Sequence, residues 1–316
     1  MSHQFRLLSL SLRGIKQKKR NFLFETLAIL LLPIAARGAA CCGGGFASPS
    51  LISGDDRAQI SASMAYTRVA IDDIDSSGFW HKSEVHQISQ TIRLEGAQLL
   101  SDRWQAGAAI PVVRRSRLEE NHTGPGDIAV SSAYEYLTDW NYNPFRPKGI
   151  AYLQVTFPTG LSRFESERGG LDSRGNGLWA IGAGTLLTKA IGSLDLYTNL
   201  EAHRSLQKKI SSSLIQGTLK PGWGGTVSVG SGWNTKQWRL GAALSWTYED
   251  PVSVNGKFEI PGLLERYATG SLSTSYLASD EWSGTLSYSD QTLFGSPLHT
   301  SLGRTIAFQV QRKWGR

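Results

Sequence analysis

Cysteine is nearly absent from this 316-residue chain: two residues, Cys41 and Cys42, stand side by side and leave none for the body. A disulfide framework is therefore excluded, and so is any Cys/His metal cluster. Long apolar runs are also missing. The one candidate, Leu27 to Leu32, is too short to cross ~30 Å of hydrocarbon and is flanked by Glu25, Pro33 and Arg37. Beyond it no segment is apolar enough for a spanning helix, so membrane residence would have to come from strands. A basic excess is lacking too, once the charge is located. The whole chain carries +7, but residues 1–40 hold seven basic residues against Glu25 alone, a net of +6. The remainder is near neutral at about +1, which removes the electrostatic case for a nucleic-acid partner.

The first forty residues read as an export signal. A basic stretch through Lys18, Lys19 and Arg20 precedes the apolar run, and Gly38-Ala39-Ala40 supplies small residues for cleavage. Cys41 after these small residues has the position of a lipidated cysteine, although Gly38 stands where such a box usually has Leu. Cleavage at Ala40 or beyond, leaving two plain thiols, is the other reading. Residues 41–56 form a Cys/Gly/Ser-rich spacer, expected to be mobile between Gly43 and Ser53. The barrel domain is assigned to 57–316.

From Arg57 onward the pattern is period two. On the first strand Ile60, Ala62, Met64 and Tyr66 share one face; on the third, Trp104, Ala106, Ala108, Ile110 and Val112 do. Twelve such segments are expected, near 57–70, 84–98, 103–113, 126–137, 149–158, 176–189, 192–204, 222–234, 237–248, 265–278, 281–290 and 300–314. Connections after even-numbered strands are short (the one from Thr138 to Lys148 is longer); those after odd-numbered strands, 71–83, 115–125, 159–175, 205–221, 249–264 and 291–299, are long and polar. An even strand number with sorted turns and loops predicts an all-β fold: a transmembrane antiparallel up-and-down β-barrel of about 12 strands in a bacterial outer membrane. Six tryptophans, Trp104, Trp140, Trp233, Trp238, Trp282 and Trp314, flank the short turns or the chain end, as an interfacial girdle requires. Trp80 and Trp223 lie toward the other rim. The final strand alternates to Trp314, in the manner of a signal read by the outer-membrane barrel assembly machinery.

If the apolar rows meet lipid, Arg93, Glu95, Glu135, Gln154, Asp195, Asn199, Glu201 and Arg239 line the lumen, either as a selectivity lining or as a satisfied network that fills a small barrel. Asp73, Asp75, Ser77 and Gly78, with Glu84 eleven positions after Asp73, match calcium-loop spacing; strand rather than helix flanks favour a plain acidic loop instead. No Gly-x-Ser-x-Gly elbow accompanies the scattered histidines, and His203 near Ser205 reads as a strand end, so no enzyme is expected. No cofactor is expected either.

Three segments carry a family resemblance: Leu100-Ser101-Asp102-Arg103-Trp104 leading to Ile110-Pro111, Gly124-Pro125-Gly126-Asp127-Ile128 opening a strand, and Phe157-Pro158-Thr159-Gly160 closing one. Together, and in order over about 57–314, they resemble the outer-membrane barrel family named for the meta pathway of phenol degradation. The resemblance implies passage of small, often aromatic, solutes. A non-conducting structural or surface-interaction barrel is the alternative.

Overall fold

Period-two sequences of 9 to 16 residues give strands of that length, long enough to cross hydrocarbon at a barrel tilt. In the computed structural model, residues 48–315 are described apart from 83–84, 140–142, 144, 213–214 and 257–258, with the backbone only for Glu259 and Ile260. The expected export signal and Cys41 thus lie outside the described residues. Twelve antiparallel strands form the wall: β1 Asp56–Ile71, β2 Gln87–Leu99, β3 Trp104–Arg117, β4 in two pieces (Glu120–Pro125 and Ile128–Leu137), β5 Lys148–Phe157, β6 Ala180–Ile191, β7 Leu194–Ser205, β8 Trp223–Asn234, β9 Trp238–Glu249, β10 Glu265–Leu277, β11 Trp282–Asp290 and β12 Leu302–Gly315. Each pairs with its sequence neighbour, and β1 pairs with β12 from Asp56↔Gly315 to Ile71↔Leu302, so the sheet closes and has no edge.

Register sorts the side chains as the alternation predicts. Ile60, Met64, Ile92, Leu94, Ile110, Leu153, Leu240, Leu272, Leu286, Ile306 and Phe308 all stand exposed on the outer wall. A water-soluble protein would not display rows of this kind; hydrocarbon is their solvent. At the short-turn rim Trp104 stacks 4.9 Å from Tyr134, Trp238 lies 4.8 Å from Tyr276, and Arg312 sits over Trp282 and Trp314. Arg204 over Trp223 marks the opposite rim. A closed barrel with such a wall places the chain in the bacterial outer membrane.

Several boundaries differ from expectation. Residues 115–125 are not a long loop: β3 runs on to Arg117 and pairs with β4 from Arg117↔Glu120 to Val112↔Pro125. The turn is Leu118-Glu119, with Leu118 at φ 56°. Gly124 and Pro125 look like loop residues, yet Pro125 ends the first piece of β4. The interruption falls at Gly126-Asp127, opposite Pro111, where Gly126 N–H donates to the Pro111 carbonyl at 2.9 Å. The segment 176–179 precedes β6 rather than belonging to it. The loops after β7 and β9 are not bare connections. They contribute Lys208–Ser211, Gln216–Lys220, Ser253–Asn255 and Glu259–Ile260 to a four-stranded sheet at the long-loop end.

Candidate functional site in the barrel lumen

All eight residues expected to line the lumen lie on the inward parity of their strands, and their neighbours there are specific. Arg93 Nε lies 2.5 Å from Glu95, and Lys148 Nζ lies 3.2 Å from Glu135. Gln154 is buried, and Asn199 accepts a hydrogen bond from the Tyr152 hydroxyl at 3.1 Å. Arg239 grips Asp195 with two bonds, at 2.8 Å and 2.6 Å, while Asn234 donates to the same carboxylate. That grip crosses β8 at Gly232, where a Cβ would stand 2.5 Å from the guanidinium carbon. Only glycine leaves that gap open.

The two sides of the lumen are built differently. On β3 to β5 the inward side chains Gln105, Ala109, Val113, Ala129, Ala133, Glu135, Ile150, Tyr152 and Gln154 are all buried. On β8 to β11 most inward positions are small or hydroxylated, among them Ser228, Gly230, Ser245, Ser271, Ser273, Thr285 and Ser287, and each of these is only half-buried. Small side chains leave the second side open to water.

The chain itself fills the first side. Residues 48–53, expected to be a mobile spacer, run inside the barrel. Ile52 is 2% exposed, donates its N–H to Gln105 Oε1 at 2.7 Å and accepts from Gln105 Nε2 at 3.2 Å. Leu51 packs on Ala133, Ile150 and Tyr152, Gln59 Nε2 donates to the Leu51 carbonyl, and Arg93 donates to the Ser48 carbonyl at 2.9 Å. Backbone groups that look solvated in the sequence are thus satisfied by inward amides and a guanidinium. The signal for this docking was weak: Gln59, Arg93 and Gln105 are inward polar residues whose partner is a segment without a strand pattern of its own.

At the long-loop end, residues 158–179 pack over the mouth, with Ser162, Leu171, Ser173 and Leu178 buried. Phe164 joins a cluster of Leu178, Ile210, Leu219 and Val254 drawn from three loops. Arg163 reaches Glu265 on β10 at 2.8 Å. Asp127, at the break in β4, accepts N–H groups from Gly160 and Gly177; burial raises its pKa above the ordinary carboxylate value, and these hydrogen bonds oppose the rise without cancelling it.

His203 is more than a strand end. Its Nδ1 lies 2.9 Å from Glu201 Oε1 and its Nε2 3.2 Å from Glu249 Oε2. With both ring nitrogens held by carboxylates, it has no free nitrogen to activate Ser205 as a nucleophile. The acidic loop after β1 also has its own account. Asp75 accepts from the N–H groups of Ser77 and Phe79 and meets His81 Nε2 at 3.1 Å, so it caps a turn at Gly78 (φ 81°) instead of converging with Asp73 and Ser77. His81 foremost, then these N–H bonds, lowers the Asp75 pKa. Glu84 is outside the described residues.

No family model matches the chain, and no curated protein matches it either. Among solved structures, it is similar to an outer membrane channel from Pseudomonas putida F1, with a TM-score of 0.67 at 13% identity, covering 84% of this chain and 97% of that one. The transport unit of the autotransporter AIDA-I from Escherichia coli (TM-score 0.46, 7% identity, 86% and 94% covered) and the translocator domain of the autotransporter NalP from Neisseria meningitidis (0.45, 13%, 83% and 90%) are more distant. At these identities the first likeness is one of fold, and the fold is that of an outer-membrane β-barrel.

Proposed function

We propose that the chain is an outer-membrane channel for small solutes, and that they pass along the hydroxyl-lined side of the lumen beside the N-terminal segment. The observation that carries this reading is the asymmetry of the inner wall. Most inward positions of β8 to β11 are small and reached by water, while those of β3 to β5 are largely buried, Gln105, Ala133, Ile150 and Tyr152 against residues 51–52. Arg93, Glu95, Glu135, Gln154, Asp195, Asn199, Glu201 and Arg239 then act as a lining that limits solute size and charge. Hydrophobic and aromatic solutes are the class proposed, in line with the sequence resemblance. Tyr197, whose ring edge occupies the space beside Gly230, and Tyr267 offer aromatic side chains among the hydroxyls. The outward row ending at Trp314 supports insertion by the barrel assembly machinery.

A sealed barrel is the second reading, favoured by the loops packed over the mouth and the docked N-terminal segment. Swelling of liposomes containing the purified mature protein, with solutes of graded size, separates the two. Channel function predicts swelling that falls off with solute size. No swelling with any solute would leave the sealed barrel standing.

A further inference from the structure

The row His203, Gly224, Glu249 runs across β7, β8 and β9 at the long-loop end of the lumen, with Glu265 next in register. Gly224 has no side chain, and a Cβ there would lie 2.1 Å from Glu249 Oε2 and 2.5 Å from His203 Nε2. Its absence lets Glu249 on β9 reach across β8 to an imidazole that Glu201 already holds on β7.

The grouping leaves charge and hydrogen-bonding capacity unused. Arg163 answers Glu265, and no other cation forms an ion pair with Glu201 or Glu249 among the described residues. Even with His203 protonated, two carboxylates against one imidazolium leave one negative charge. Glu201 is almost wholly buried, its side chain 3% exposed, and its carboxylate takes the Thr226 N–H besides His203, yet no hydrogen bond of ordinary geometry reaches its Oε2; Glu249 Oε1 likewise accepts none. A buried carboxylate oxygen without a donor is costly and calls for one. Both oxygens are themselves closed to solvent, but Glu249 is 25% exposed, so the cluster borders the open side of the lumen beside the half-buried Thr226 and Ser228. Among the described residues no three His, Cys, Asp or Glu side chains converge as metal ligands. A donor of N–H groups would complete both oxygens.

We propose that Glu201, His203 and Glu249 form a subsite for a primary ammonium group carried by a small solute in the lumen. Such a group presents three N–H donors and no acceptor, matching two acceptor oxygens and a residual negative charge. The proposal rests on the channel reading only for how the solute arrives; binding is measured independently of flux.

The test uses the full mature protein in detergent micelles with ¹⁵N-histidine labelling, the His203 resonances being assigned from the His203→Gln spectrum. Titration with methylammonium should shift His203 saturably at millimolar concentrations. Tetramethylammonium, which has the charge but no N–H, should not. Glu249→Gln should weaken binding by roughly tenfold or more, the loss of one charge-assisted hydrogen bond. Glu281→Gln, the same change at the outer short-turn rim, should leave it unaltered. Folding of each variant is read from the heat-induced gel shift of the barrel, and Glu201→Gln replaces Glu249→Gln if the latter does not fold. No saturable shift in the wild type, or equal affinity in the Gln variant, overturns the subsite. Flux without a shift sinks the subsite alone; a shift without flux sinks the channel.

Discussion

At the scale of single residues, the lumen depends on where side chains are missing. Gly232 lets Arg239 cross β8 to Asp195, and a methyl group there must push the guanidinium aside. Both partners keep some contact with water, so the expected loss for Gly232→Ala is on the order of 1 kcal/mol. It should appear as a lower unfolding midpoint in detergent, and an unchanged midpoint would show that the pair contributes nothing. Asp172, in the loop over the mouth, gives a pH test. Burial alone would raise its pKa, but hydrogen bonds from the Ser166 hydroxyl and the Glu167 N–H outweigh burial and hold it below the ordinary carboxylate value. Because the folded value is depressed, its stabilisation is complete above the ordinary carboxylate pKa and is lost as the pH falls through the folded one. Protease nicking of residues 161–175 should therefore be flat down to about pH 4 and rise below it, whereas Asp172→Ala should nick readily at neutral pH. Inward placement of Asp195, Asn199 and Glu201 was legible because period two fixes the face. His203 shares their parity and could have been placed with them. Its carboxylate partner on β9 could not, since that pairing depends on register across two strands and a glycine between them.

At the scale of elements, the twelve strands were readable because each alternates for about nine residues or more, and one slip would turn every apolar row inward. Leu272→Arg on the outer face of β10 should cost roughly 2–4 kcal/mol in a lipid bilayer. The neighbouring Ser273→Arg, facing the lumen, should cost much less. Denaturant titration in vesicles compares them, and equal costs would mean the facing is wrong. What the sequence concealed were elements without alternation. The β3–β4 hairpin was obscured by Gly124 and Pro125, which look like breakers, and residues 48–53 follow no strand or helix period. Their order comes from Gln59, Arg93 and Gln105, more than forty positions away in the last two cases. Leu51→Asp with Ile52→Asp should release this segment and raise single-channel conductance. Unchanged conductance would mean that the segment does not narrow the passage.

At the scale of the whole molecule, closure of the sheet and the division of the lumen are the two features that matter for function. Closure satisfies every strand edge in hydrocarbon. The division sets a packed side on β3 to β5 against a hydroxyl-lined side on β8 to β11, and the fold alone does not dictate that contrast. It arises because the bulky apolar inward residues Ile150, Tyr152 and Leu186 cluster on β5 and β6 while serine, threonine and glycine hold most inward positions of β8 to β11. The composition of each strand was in the sequence; which side the N-terminal segment would choose was not. The most direct test is cysteine scanning of the reconstituted protein in a background with Cys41 and Cys42 replaced by serine. Ser245→Cys, Ser273→Cys and Ser287→Cys should react with a charged, membrane-impermeant thiol reagent and lower the conductance, while Leu244→Cys, Leu272→Cys and Leu286→Cys should do neither. Unreactive cysteines at all three serine positions would contradict a water-filled passage along β8 to β11.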